Sequence, residues 1–187
     1  MAEEAGSDPG LFLAGDGFVL RPWRPGDLDA LLRHADDPQV PRGLSDRFPH
    51  PYTRADGEAF LAGKVVDLSQ ALAIEIAGEA CGGIGLRRGT GERAHSAELG
   101  YWLGRAHWGH GWMTRVVARC LDWAVPALEL ERIAAEVLDT NPASARVLAK
   151  NGFVEEGLRR SAVRKADGLH DLRLFARVWP ATGRVER

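Results

Sequence analysis

Apolar residues recur at Met113, Val116, Val117, Cys120, Leu121 and Ala124, while Arg115, Arg119 and Asp122 fall on the other side. Spacings of three, four, seven, eight and eleven make one buried face of an α-helix. Just upstream, residues 97–103 (Ala-Glu-Leu-Gly-Tyr-Trp-Leu) are aromatic and aliphatic with one acid inside, which reads as a strand. Downstream, Arg132–Leu138 reads as another. Strand, helix and strand joined by short connections predict a right-handed parallel crossover, with its ligand side at the carboxyl ends of the strands.

The remaining pattern fills in around this unit. A first strand is expected over residues 17–24, followed by a helix capped by Asp27 that carries Leu28, Leu31, Leu32 and Ala35 on one face. Thr53 and Asp56 form a capping-box start for a second helix through Phe60, Leu61 and Val65, weakened by Gly57 and Gly63. Residues 71–77 and 80–88 predict a hairpin around Gly78-Glu79. A C-terminal hairpin of 155–165 and 169–179 turns over Asp167-Gly168, with Leu172, Leu174, Ala176 and Val178 facing inward. Residues 141–153 spell a short helix with both ends marked: Asn141 as N-cap, Pro142 at the first helical position and Gly152 for the left-handed residue after it. No internal repeat or low-complexity tract interrupts the chain.

Candidate chemistry begins at residues 107–114, His-Trp-Gly-His-Gly-Trp-Met-Thr, between the 97–103 strand and its helix. Two glycines spaced one apart let the backbone approach a bulky polyanion. The helix behind them offers first-turn N–H groups and the positive end of its dipole. Neither G-x-x-x-x-G-K-[S/T] nor G-x-G-x-x-G is present, since Thr114 stands where the third glycine would be; this disfavours a nucleotide triphosphatase or a dinucleotide enzyme. His107 and His110 have H-x-x-H spacing, but no further ligand pair stands nearby in sequence, so no metal is expected.

Taken together, the strand, the Gly-x-Gly helix start, the second strand and the Asn-x-x-Ser…Lys-x-Gly-Phe run at 141–153 resemble the GCN5-related N-acetyltransferase (GNAT) superfamily, in its RimJ/RimL-like ribosomal-protein subgroup. The stretch Phe-Val-Leu-Arg-Pro-Trp-Arg-Pro-Gly-Asp at 18–27 fits the same subgroup, and the likeness spans about residues 17–179. It implies an α/β fold with a mixed, mostly antiparallel sheet of six to seven strands and about four helices, whose parallel fourth and fifth strands splay to hold an acyl-CoA. It also implies an acetyl-CoA-dependent N-acetyltransferase acting on a primary amine, either a protein N-terminus or a small molecule, by direct attack in a ternary complex. The alternatives are a catalytically silent acyl-CoA-binding domain or the use of another acyl donor such as succinyl-CoA.

Site residues follow from the same resemblance. Trp102, Leu103, Trp108, Gly109, His110, Gly111, Trp112, Met113 and Thr114 would line the coenzyme, joined by Asn141, Ser144, Arg146 and Lys150. Glu98 is the first candidate base, with a structural pairing to Arg21 or Arg24 as its bland alternative, and Glu136 is the runner-up. The subgroup's usual glutamate two residues before Glu136 is replaced by Ala134. Ser144 would donate to the departing sulfur, because the family's tyrosine seven residues after the asparagine is Leu148 here; Asn141 would bond the pantetheine arm. A long loop at 38–52, with Pro41, Arg42, Arg47, Phe48, His50 and Tyr52, is expected to cover the acceptor.

Composition narrows the class. With 187 residues, 45% hydrophobic, the chain can bury one sizeable core, expected as a single domain over 17–180 between tails at 1–16 and 181–187. A net charge of −2 offers no basic surface for nucleic acid. No apolar run approaches the ~20 residues that span a bilayer. The acidic N-terminus is unlike a signal peptide, which points to a cytoplasmic protein; a homodimer is common in the subgroup. Cys81 and Cys120 are expected as buried free thiols, not a disulfide.

Overall fold

The computed structural model describes residues 11–45 and 48–180. Eight strands form one mixed sheet in the order β1-β2-β3-β4-β5-β6-β8-β7: β1 Leu13–Gly15, β2 Phe18–Pro22, β3 Ala71–Ile76, β4 Glu79–Arg88, β5 Ser96–Leu103, β6 Arg132–Leu138, β7 Val154–Lys165 and β8 Gly168–Val178. Four α-helices accompany them: α1 Leu28–Ala35, α2 Arg54–Leu61, α3 Trp112–Ala127 and α4 Pro142–Lys150. This is the α/β GNAT-type architecture the resemblance implies, with one strand more than the expected six to seven. The additional strand is β1, which pairs antiparallel with β2 from Leu13↔Leu20 to Gly15↔Phe18. Part of the expected tail at 1–16 is therefore ordered sheet, because Leu13 finds a buried position; residues 1–10 and 181–187 lie outside the described residues.

The chain separates into two compact units. The first takes in the described residues up to Leu86 together with Gly100–Cys120. Its centre is a cluster of Trp23, Leu31, Ala35, Tyr52, Ala73 and Ala80. Antiparallel pairing joins β1 to β2, β2 to β3 and β3 to β4. Arg21, only 2% exposed, is made tolerable inside by Asp27, whose two oxygens each accept from a different guanidinium nitrogen at 2.8 Å, and by Glu75. Hydrogen bonding to Asp27 first, and then to Glu75, raises the arginine's pKa, so the buried charge is kept and paired. Asp27 is thereby committed. It does not cap α1 with its side chain as expected, but accepts the Arg24 N–H within a 3-10 turn, Pro25–Asp27, that leads into the helix.

Local signals elsewhere in this unit hold with shifted ends. The Thr53–Asp56 capping box forms in both directions, at 3.3 and 2.8 Å. α2 stops at Leu61, short of the expected Val65, and Gly63 at φ +70° turns the chain away. The β3–β4 turn is Ala77-Gly78, one residue earlier than expected, with both at positive φ (+52° and +84°) as a two-residue hairpin of type I′ needs.

The second unit comprises Arg87–Leu99 and the residues from Leu121 onward. Here β6 lies between β5 on one side, parallel, and β8 on the other, antiparallel. The parallel register covers Ser96↔Arg132, Ala97↔Ile133 and Glu98↔Ala134, while both strands continue beyond it. Ile133, Val137, Leu148, Phe153 and Phe175 are buried. The C-terminal hairpin departs from clean alternation: Phe175 and Ala176 are both buried, Val178 is 61% exposed, and the register with β7 shifts twice. The first shift, between Glu155 and Gly157, adds one residue on β7 and exchanges inward for outward positions, and the second, between Arg159 and Val163, adds two; a period-two pattern foresees neither.

Candidate functional site

The glycine loop forms as the sequence implies. Gly109 and Gly111 have φ of +80° and +73°, and a side chain built on either would meet nothing within 4 Å, so both face open space. What these positions demand is the left-handed backbone, which costs other residues roughly 1–2 kcal/mol. α3 starts at Trp112, directly behind a residue with no side chain to cap it, and its first internal bond runs from Arg115 N–H to the Gly111 carbonyl. The first-turn amides of such a helix point outward with the positive end of the dipole. Val116, Val117, Cys120, Leu121 and Ala124 are all buried, which fixes the helix by the apolar face read from the sequence.

The neighbours of the loop divide into structural and available groups. Trp108 is 45% exposed, and its indole N–H donates to the Leu103 carbonyl at 2.7 Å, tying the loop to the end of β5. Trp102 turns its ring into the aromatic cluster, stacked on Trp23 and edge-on to Phe48. Trp112 packs edge-on against Phe18, with the Arg115 guanidinium over its ring at 4.3 Å. Of these three tryptophans, Trp108 alone keeps its ring outside such packing. Leu103 is buried and His110 exposed; Met113 and Thr114 are half-buried on the first turn of α3.

At the other sequence-marked segment, Asn141 caps α4 with its own side chain, Oδ1 accepting from the Ser144 N–H at 3.1 Å, and Pro142 occupies the first turn. Gly152, at φ +77°, ends the helix. Leu148, where the family's tyrosine would stand, is fully buried and serves as the anchor of this helix. Asn151 Nδ2 donates to the Val147 carbonyl and Arg177 donates to the Asn151 carbonyl at 2.8 Å, so the C-terminal end is satisfied too. Ser144 is half-buried, whereas Arg146 and Lys150 are exposed.

The candidate bases are engaged. Glu98 is exposed and accepts from Arg87, not from Arg21 or Arg24, because Arg21 is already taken by Asp27 and Glu75. Glu136 pairs with Arg159 at 2.5 Å across the sheet face. In the 38–52 loop, Phe48 lies against both Tyr52 and Trp102, and burial, then Asp56, pushes the Tyr52 hydroxyl up to about 12. This loop is therefore partly core; Arg47 lies outside the described residues. Cys81 and Cys120 are free and buried as expected, and burial pushes their thiols up to about 11 and about 12, which leaves neither an activated nucleophile.

One constellation escaped the sequence. His107 does not work with His110; its ring sits 5.3 Å from that of His34, and the two imidazoles converge with Cys81 from different elements. Nothing in the spacing of these three residues could have shown it.

A profile of the acetyltransferase (GNAT) domain matches residues 18–154. Among curated proteins, the chain is 29% identical over 166 residues to an uncharacterized N-acetyltransferase, p20, of Bacillus licheniformis, covering 85% of this chain and 91% of that one. It is 32% identical over 83 residues to the ribosomal-protein-serine acetyltransferase of Escherichia coli, an alignment covering 44% of this chain and 46% of the relative. Among solved structures, the RimL ribosomal L7/L12 α-N-protein acetyltransferase in complex with coenzyme A superposes with a TM-score of 0.77 over 91% of this chain and 99% of that one, at 19% identity. At that identity the likeness speaks for the fold.

Proposed function

The chain belongs to the acetyltransferase (GNAT) family and is an N-acetyltransferase; we propose that its donor is acetyl-CoA and its acceptor a primary amine, joined by direct attack without an acyl-enzyme. The observation that carries this reading is the helix start at Gly109–Trp112: two left-handed glycines, at φ +80° and +73°, directly ahead of an α-helix. Backbone amides in this arrangement suit a diphosphate, with residues 108–114 as its cradle. The solved RimL structure of the same fold, which holds coenzyme A, supports the choice of ligand.

In this mechanism the neutral amine attacks the acetyl carbonyl, the oxyanion is met by a main-chain N–H near Trp102 or Leu103, and the carbon–sulfur bond breaks. Ser144 donates a hydrogen bond to the leaving sulfur, and Asn141 holds the pantetheine arm. Arg146 and Lys150 screen phosphate charge. Glu98 takes the amine proton, which requires it to exchange Arg87 for the incoming ammonium. Buried, protonated thiols support direct attack over a cysteine intermediate. A protein acceptor is favoured over a small molecule by the relative named a ribosomal-protein-serine acetyltransferase. No helix among the described residues is long and apolar enough to cross a membrane, and the reading includes cytoplasmic residence and a homodimer as expectations.

A thermal-shift series with acetyl-CoA, succinyl-CoA and free CoA tests the donor, since a ligand at 100 times its dissociation constant adds ~2.7 kcal/mol to stability. Thiol release against an amine panel that includes N-terminal peptides tests transfer, with Ser144→Ala and Glu98→Gln beside the wild type. Failure of acetyl-CoA to stabilise the protein overturns the reading. The second reading, a silent acyl-CoA-binding domain, is favoured by the Arg87 pairing of Glu98 and by Leu148 in place of a tyrosine. It predicts stabilisation by the coenzyme with no thiol release on any amine.

A further inference from the structure

The geometry points to a transition-metal site, suited to Zn²⁺, formed by His34, Cys81 and His107 beside the coenzyme loop. These residues come from the end of α1, the start of β4 and the 3-10 turn Arg105–His107. One donor atom from each lies within 4.8 Å of the others. Tetrahedral zinc with Zn–N near 2.0–2.1 Å and Zn–S near 2.3 Å places its donors roughly 3.4–3.6 Å apart. Small side-chain rotations close that gap.

The surroundings are built for the convergence. The Gly104 N–H donates to the Cys81 carbonyl at 2.7 Å, and the His107 N–H donates to the Gly104 carbonyl at 3.0 Å, so backbone bonds fix two of the three ligands relative to one another. A side chain at residue 104 would come within 2.6 Å of His34 Nδ1, so glycine there is what admits the imidazole. His34 Nε2 is sealed from solvent and has no hydrogen-bond partner; the Glu79 carboxylate is 3.3 Å away but not aligned to accept from it. A buried polar atom without a partner is costly, and a metal ion is one of the few groups that would satisfy it.

Two imidazoles and a thiolate form a borderline-soft donor set that selects zinc over calcium or magnesium. Glu79, which pairs with Arg33 and lies 3.3 Å from His34 Nε2, stands outside this group of three, so the fourth position is left to water or a further ligand. The step is balanced: the Cys81 S–H bond breaks, its proton passes to solvent, and a sulfur–metal bond forms with no change of oxidation state. Three protein ligands from three separate elements hold the ion, so its role is to join those elements. It ties α1 and β4 to the turn that ends two residues before Gly109, and so steadies the entry to the glycine loop.

The test uses the full chain, free of any polyhistidine tag, stripped with a chelator and re-equilibrated with Zn²⁺ or Co²⁺. The expected result is one Zn²⁺ per chain by elemental analysis, and a Co²⁺ form with a thiolate-to-metal charge-transfer band. Cys81→Ser abolishes the band. His107→Gln lowers Zn²⁺ affinity by at least the ~100-fold at the upper end of what loss of a mere outer partner costs. His110→Ala leaves both readouts unchanged, which separates this site from an H-x-x-H pair. Wild-type protein that takes up no metal overturns the proposal, as does a wild-type Co²⁺ form without the thiolate band. So does metal uptake that survives Cys81→Ser and His107→Gln. The band in the wild type is decisive even where a variant folds poorly.

Discussion

Two helix starts in this chain are built in opposite ways. α4 is closed at its N-terminus by its own residues, with Asn141 spending its side-chain oxygen on the Ser144 N–H and Pro142 removing a further donor. α3 opens behind Gly111, which has no side chain to offer. A good side-chain cap adds about 1 kcal/mol, and a glycine ahead of the helix forgoes it. The contrast teaches that the start of α4 is closed by its own side chain, whereas the start of α3 is set by the left-handed backbone of Gly109 and Gly111.

The largest expected effect breaks α4 at its anchor. Leu148 is fully buried, so Leu148→Ala should cost about 2–5 kcal/mol, read as a lowered urea midpoint. A loss under ~1 kcal/mol would mean α4 is held by its caps and not by packing.

Next comes the double change Gly109→Val with Gly111→Val. Two left-handed positions filled by β-branched residues carry roughly 2–4 kcal/mol of strain. Expressed in the bound loop, this weakens acetyl-CoA binding tens- to hundreds-fold by calorimetry. Unchanged affinity in a folded variant would show that the loop does not grip the ligand.

Asn141→Ala sharpens the comparison from the other side. Removing the cap should destabilise the protein by ~1 kcal/mol, measured by urea unfolding.

The smallest effect is a dependence on pH. His170 sits between Asp167 at 2.8 Å and Asp139 at 3.3 Å, which clamps the β7–β8 turn to the segment leading into Asn141. The bond to Asp167 is the main cause of its raised pKa, and burial opposes it. A histidine whose folded pKa is raised contributes stability that is full below its unfolded pKa, about 6.5, and is lost as pH rises through the higher folded value. Unfolding midpoints taken from about pH 5 to 9 should therefore show a downward component in this window that His170→Gln removes. An identical slope in the variant would refute the clamp.

How much could be read beforehand follows the same division. The helix face of α3, the Thr53–Asp56 box, the Asn141 cap and the left-handed Gly152 were all legible, because each is settled by residues three or four apart. Hairpin turns were legible to within a residue. The inward set of the C-terminal hairpin was not, since register shifts between β7 and β8 leave Val178 outside and bring Phe175 in. Of the candidate site, the glycine loop was visible as a motif. The partner of Glu98 was not, nor was the stacking of the Trp102 ring on Trp23.

By itself, the sequence determined where α3 and α4 begin, which face of α3 is buried, and that two glycines stand ahead of its first turn. These are matters of satisfying backbone donors and acceptors with near neighbours. Tertiary structure alone decided that Arg21 belongs to Asp27 and Glu75, which leaves Glu98 to Arg87, and that His34, Cys81 and His107 meet. Charge pairs and ligand clusters are chosen by strand register and helix placement across long separations. Many partners of the right type compete along the chain, and only the folded geometry brings one of them within reach.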